Sequence, residues 1–244
     1  MSAAPLRFVL DPVGEELAAA LRCEADVFLE TYGNTAEEME REYGPYLDAT
    51  GFMTVLAEDG EAVATARFIG PGPAGHKSLN DTSRPPWGID GQRSARSAGV
   101  DLDKTWDIAT VAVRPGHGRG GLCAAALYHG IVAAAFANDI EYVVMIMDSH
   151  ARRLLSGLGM QTQVLPATST GEYLGSESST PLWANLHRMF ERQRQDDPDA
   201  YRLIFQGVGL DGIELPTDWR RTTTPPGAGP AVGLTEPAAD VPTR

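Results

Sequence analysis

The sequence predicts a mixed α/β protein, one mixed sheet flanked by helices. Three observations carry this. Short apolar runs alternate with runs of helical period in the order strand, helix, helix, strand, strand, long loop, strand, helix, strand, helix, strand, strand, helix. Asp59-Gly60 stands between the apolar runs of residues 52–69, a strong hairpin signal. A strand-like run at 105–113 then passes through a glycine-rich loop straight into an alanine-rich helix.

The elements follow in chain order. Residues 6–10, LRFVL, read as a first strand. Residues 12–32 read as a helix that Pro12 opens, with Leu17, Leu21 and Phe28 near one face. Thr35 followed by Glu38 has the spacing of a capping box, and a short helix runs from there to Gly44-Pro45. Residues 71–104 show no apolar period and read as a long loop. Residues 121–139 form a helix whose alanines allow close approach to a sheet. IEYVVMIMD, 140–148, is apolar throughout, as at a sheet centre. SHARRLLSGLGM is a short helix ended by Gly159. QTQVLP and TPLWANL are two further strands, and 187–206 is helical with a break near Pro198. Residues 1–220 read as a single domain. The segment 221–244, rich in Pro, Gly, Thr and Ala, reads as a disordered tail.

Composition narrows the function. An apolar content of 43% is enough for a real core. A net charge of −13 repels nucleic-acid phosphates, so no nucleic-acid partner is expected. No apolar run approaches the length of a membrane span, and the N-terminus lacks a secretory stretch. No membrane partner is expected, and a reducing cytoplasm is the default. Cys23 and Cys123 fit neither a disulfide framework nor a zinc site, so they read as buried free thiols and no metal is expected.

The loop between strand and helix is the strongest functional signal. Gly116, Gly118, Gly120 and Gly121 are interleaved with His117 and Arg119 after Arg114-Pro115. A helix start exposes unpaired N–H groups and a partial positive charge. Glycines let a phosphate approach them, and Arg114, His117 and Arg119 add donors. The loop is neither a P-loop nor a dinucleotide fingerprint, because neither spacing fits. It reads as a pyrophosphate cradle, or else as a tight turn that needs its glycines.

In this topology, WDIATVAVRPGHGRGGLCAAAL resembles the GCN5-related N-acetyltransferase superfamily. Val113, Pro115, Arg119 and Gly120 carry the match, and SHARRLLSGLGM matches a later helix of that family. The resemblance implies an acyl-CoA N-acyltransferase fold with a bulge in the strand before the loop. It implies that Gly118, Arg119, Gly120, Gly121 and Leu122, with Arg114 and His117, hold the donor pyrophosphate. Backbone groups of Val111, Ala112 and Val113 would polarise the thioester carbonyl. The Tyr that often protonates the leaving thiolate falls at Leu155.

A narrower resemblance is to the acyl-homoserine-lactone synthases and the long-chain N-acyl amino acid synthases, over roughly residues 6–186. Arg22, Phe28, Tyr46-Leu47-Asp48 and Arg67 stand at their N-terminal motif positions. In WDIATVAV, Asp107 takes the place of a Glu and Thr110 that of an Arg. By this resemblance Arg22, Phe28, Asp48 and Arg67 hold a polar acceptor, and an arginine pair suits a carboxylate. Equally, these charges form a structural salt-bridge network. Asp107 is the first candidate for general base, through a relaying water. Its alternative is a structural carboxylate paired with Arg22 or Arg67. Asp148 and His150, at the end of the apolar strand, are candidates for proton transfer, or else a helix start with its cap.

The function expected is transfer of an acyl group from a thioester to the amine of a small, amino-acid-like acceptor. The donor is acyl-CoA, acetyl or longer, or an acyl-phosphopantetheine on an acyl carrier protein, which would then be a partner. The alternative is a non-catalytic module that binds an acyl thioester or a partner protein on the same fold. The loop 71–104 is expected to lid the acceptor site through Trp87, Arg93 and Arg96.

Overall fold

A computed structural model describes residues 5–221. The segment 222–244, nearly all of the expected tail, lies outside the described residues. The chain runs β1 (Leu6–Leu10), α1 (Gly14–Tyr32), α2 (Ala36–Tyr43), a 3-10 turn (Gly44–Ala49), β2 (Thr50–Leu56), β3 (Ala62–Ile69), α3 (Lys77–Asp81), α4 (Gly91–Ser97) and a second 3-10 turn (Leu102–Lys104). It continues β4 (Thr105–Val113), α5 (Gly120–Ala137), β5 (Tyr142–Asp148), α6 (Ser149–Gly157), β6 (Gln163–Val164), β7 (Gly171–Tyr173), β8 (Ser176–Asn185), α7 (Leu186–Asp196), α8 (Pro198–Ile204) and β9 (Ile213–Glu214). One mixed sheet has the order β6-β8-β5-β4-β3-β2-β1-β9, with β7 paired to β8.

Both sheet faces are covered, which is why β2 and β3 are buried along their whole length. On one face, Phe8, Met53, Phe68, Leu127, Val132 and Leu182 belong to the core under α5 to α8. The alanines of α5 let it lie close, and a Cβ on Gly130 would collide with the Phe8 ring. α5 is apolar and long enough to cross a membrane by composition alone, but Ala126, Leu127, Ala134 and Ala135 are fully enclosed in this core. On the other face, Ala19, Cys23 and Val27 of α1 pack on Leu56, Ala62 and Ala112. Leu79, Ala95 and Val100, from the α3–α4 segment, pack on Val144 and Trp183.

Two irregularities position the site. β4 and β5 are parallel, but their pairing stops at Asp107↔Val144. β4 continues to Val113 and β5 to Asp148, so the sheet splits into a cleft. Along β3, Arg67 faces Thr110 while Phe68 faces Ile108. Ala109 is therefore an extra residue on β4, a bulge beside the cleft.

Three expectations change. Residues 71–104 are packed structure. Asp90 caps α4 by accepting from Arg93 N–H at 2.9 Å, and a Cβ on Gly91 would collide with Leu79 O and Thr82 Oγ1. Helices of five and seven residues are too short to show an apolar period, and α3 buries Lys77, Ser78 and Asp81 as well as Leu79. Leu21, read as facing inward, is exposed, because α1 turns Ala20, Cys23, Glu24 and Val27 to the sheet. β7 and β9 are strands of three and two residues that no sequence period marks. β9 pairs with β1 in parallel, and Trp219 behind it packs on Phe8 at 5.2 Å and His129 at 5.4 Å.

Candidate active site

The cleft has the β4–α5 loop at its mouth. α5 starts at Gly120 with no side chain capping it. The first-turn N–H groups of Gly121 and Leu122 therefore lie along the axis toward the opening. Gly116 has φ +72°, which a turn needs. Gly118 and Gly121 are different: a Cβ on either would meet nothing within 4 Å. Intramolecular packing does not require these glycines. The open space over an uncapped helix start fits a pyrophosphate.

The loop side chains contribute less than expected. Arg114 turns to the α1 face, where it donates to Ala62 O and to Asp26, both at 2.8 Å. Arg119 donates to Gly212 O at 2.8 Å and so ties the loop to the segment before β9. His117 is half-buried in the loop. The helix start presents mainly backbone to the cleft.

Arg114 N–H donates to Val63 O at 3.0 Å. The antiparallel register alternates every second residue, so Ala112 also bonds to β3. The N–H groups of Val111 and Val113 face the open side of β4. Beyond the last pair, β4 runs on past the Ala109 bulge to Val113 and β5 to Asp148, on the two sides of the cleft.

Asp107, the candidate base, is fully enclosed. Ser78 takes both its oxygens, the backbone N–H and the hydroxyl each donating at 2.6 Å. Its partner is thus neither Arg22 nor Arg67, and the carboxylate anchors α3 to β4. Burial raises its pKa, against the two Ser78 bonds and the nearby His76 and Lys77. Asp107→Asn is expected to destabilise the fold by about 1–3 kcal/mol, because an amide cannot accept from both donors. Urea denaturation checks this. Unchanged stability with lost turnover would return Asp107 to the chemistry.

Arg67 is buried and committed to Glu24. Its Nε donates to Glu24 Oε1 at 2.9 Å and its Nη2 to Oε2, while Thr110 donates its hydroxyl to Glu24 Oε1. The guanidinium lies 4.2 Å from the Tyr43 ring centroid and 4.7 Å from that of Phe52. Arg22 is exposed, 3.5 Å from Glu61, and Asp48 is also exposed. Of the expected acceptor set of Arg22, Phe28, Asp48 and Arg67, Arg22 and Asp48 are exposed, Arg67 is paired with Glu24, and Phe28 packs on the cluster that holds Tyr43. Phe28 lies within the α1 packing, 5.4 Å from the Tyr32 ring.

Asp148 caps α6, accepting from His150 N–H at 2.7 Å and Ala151 N–H at 2.9 Å. The His150 side chain is exposed. The sequence reading missed Tyr32, whose hydroxyl donates to Asp148 at 2.5 Å. Burial, that bond and the Asp148 charge all raise the Tyr32 pKa, so it stays protonated. Burial would raise Asp148, but Tyr32, the two cap N–H groups and His150 hold it below the usual carboxylate value. Burial, and then the Asp148 charge, raise the Tyr128 pKa on α5 as well. The residues 32 and 148 are far apart in sequence, and no local pattern joins them. A second cluster was also missed: buried Lys77 donates to Glu42, Asp81 and Tyr173, and Tyr173 donates to Asp81 at 2.5 Å. Both cysteines are free and buried, and burial pushes the Cys23 thiol up to about 12. A neutral thiol is a poor nucleophile.

No protein-family model matches the chain, and no curated protein matches its sequence. Solved structures do match its fold. FeeM, an N-acyl amino acid synthase from uncultured soil microbes, aligns with a TM-score of 0.58 at 14% identity, over 78% of this chain and 97% of its own. BjaI, a CoA-dependent acyl-homoserine lactone synthase solved with SAM and isopentyl-CoA, aligns at 0.55 and 14%, over 87% and 93%. The acyl-homoserine-lactone synthase LasI aligns at 0.52 and 12%, over 75% and 91%. With its split sheet, β4 bulge and glycine-lined helix start, the chain has the GCN5-related N-acetyltransferase fold, in a form similar to these acyl synthases.

Proposed function

We propose that the chain is an N-acyltransferase that moves an acyl group from a thioester to the amine of a small acceptor. One observation carries the reading: the open space over Gly118 and Gly121 at an uncapped helix start, beside a strand edge with free N–H groups. The backbone of Gly118 to Leu122 holds the donor pyrophosphate. The Val111 and Val113 N–H groups receive the thioester oxygen as it gains charge. Tyr32, held by Asp148, donates to the departing sulfur, a task for which Leu155 has no hydroxyl and is buried.

The donor is an acyl-CoA, and the BjaI complex with isopentyl-CoA supports this. An acyl-phosphopantetheine on a carrier protein presents the same arm and is the second donor to test. On the acceptor, the commitment of Arg67 to Glu24 removes the expected partner for a carboxylate.

Incubation with acetyl-, medium-chain and long-chain acyl-CoA and a panel of amines tests the reading, with thiol release and amide mass as readouts. Amine-dependent release of thiol with formation of the amide is expected. Binding of acyl-CoA without transfer to any amine would leave the non-catalytic module, which the burial of Asp107 and the Leu155 position favour.

A further inference from the structure

A surface cavity lies on the flank of α6. It has a volume of about 370 Å³ and is lined by Ser149, Arg152, Arg153, Ser156, Thr170 and Thr180. The four α6 residues recur at the spacing of one helix face. Thr170 and Thr180 close the opposite wall, their hydroxyls 2.8 Å apart. Four hydroxyls and two guanidiniums line the space, with no carboxylate among them, in a chain with 33 acidic residues. Among the described residues, neither Arg152 nor Arg153 makes an ion pair or hydrogen bond. Guanidiniums and hydroxyls together are the donor set for a tetrahedral oxyanion.

None of these residues belongs to the β4–α5 loop. Leu155, on the other side of the helix, is in the core. Asp148, the nearest acid in sequence, is turned to Tyr32 and to its own cap. We propose that this cavity is an anion site separate from the donor cradle, and that it takes the phosphate group of a small phosphorylated molecule. The site does not depend on the acyl-transfer reading.

Inorganic phosphate is the probe, against chloride at equal ionic strength, with the full chain and both calorimetry and thermal melting as readouts. Phosphate is expected to bind and to raise the melting temperature. Arg152→Gln with Arg153→Gln should weaken phosphate binding by about tenfold or more, because charge-assisted bonds are lost. Arg152→Lys with Arg153→Lys should fall between. Melting in chloride reports whether each variant folds. A Gly118→Val, Gly121→Val variant should keep phosphate binding, which separates the two sites whether or not CoA binds. Three results overturn the proposal: phosphate acting no better than chloride, the double Gln variant binding phosphate like the original chain, or the cradle variant losing it.

Discussion

Arg67→Ala is expected to destabilise the protein by about 3–5 kcal/mol, the usual cost of breaking a buried pair from one side. Glu24 is only 2% exposed, and without Arg67 it keeps Thr110 as its one remaining hydrogen-bond donor in the cluster. The loss also removes the cation from between the Tyr43 and Phe52 rings. α1 is tied to the sheet here, since Glu24 belongs to α1, Arg67 to β3 and Thr110 to β4. The paired replacement Glu24→Leu with Arg67→Met should cost much less, because it leaves no buried charge alone. Urea midpoints of the singles and the double decide. A single replacement that costs under about 1 kcal/mol would show that the pair is not buried as described.

Tyr32→Phe is expected to lower kcat by about 100-fold or more while leaving donor binding intact, the scale of one proton-transferring group. One further readout separates this role from a structural one. An acyl thioester of an acidic aryl thiol needs no protonation of its leaving group, so the deficit should nearly vanish with it. The acid stability of the fold should also move, whichever role Tyr32 has. Tyr32 helps to hold the Asp148 pKa below the usual carboxylate value. A depressed carboxylate contributes its stabilisation above its unfolded pKa and loses it as pH falls through the folded one. Without the Tyr32 hydroxyl that folded pKa rises, so the loss of stability in acid begins at higher pH. Retained kcat in Tyr32→Phe, with an active original chain, would remove Tyr32 from the mechanism and leave acyl transfer standing.

Local signals were legible in the sequence. Thr35 and Glu38 form the reciprocal capping box that their spacing predicts, and Asp59-Gly60 turns the β2–β3 hairpin. The strand–glycine–helix passage marked the end of β4 and the start of α5, because strand end, glycines and helix start are adjacent in the chain. Long-range partners were not legible. Asp107 finds Ser78 across 29 residues, Arg67 finds Glu24 across 43, and Tyr32 finds Asp148 across 116. A carboxylate in a strand looks the same whether it anchors a helix or takes a proton. Arg67 looked available for a substrate because Glu24, on a helix, carries no mark of burial. The packed 71–104 segment escaped because its inward side chains are largely polar and its helices are short.

Titration calorimetry with coenzyme A tests the central claim most directly. Binding is expected for the original chain, with Gly118→Val, Gly121→Val weakening it by about tenfold or more at an unchanged melting temperature. A Cβ at either position meets only open space in the free protein, so a loss of binding without a loss of stability places the pyrophosphate in the cradle. Equal affinity in the original and variant chains would contradict the site and, with it, the assignment of β4 and α5 to the acyl donor.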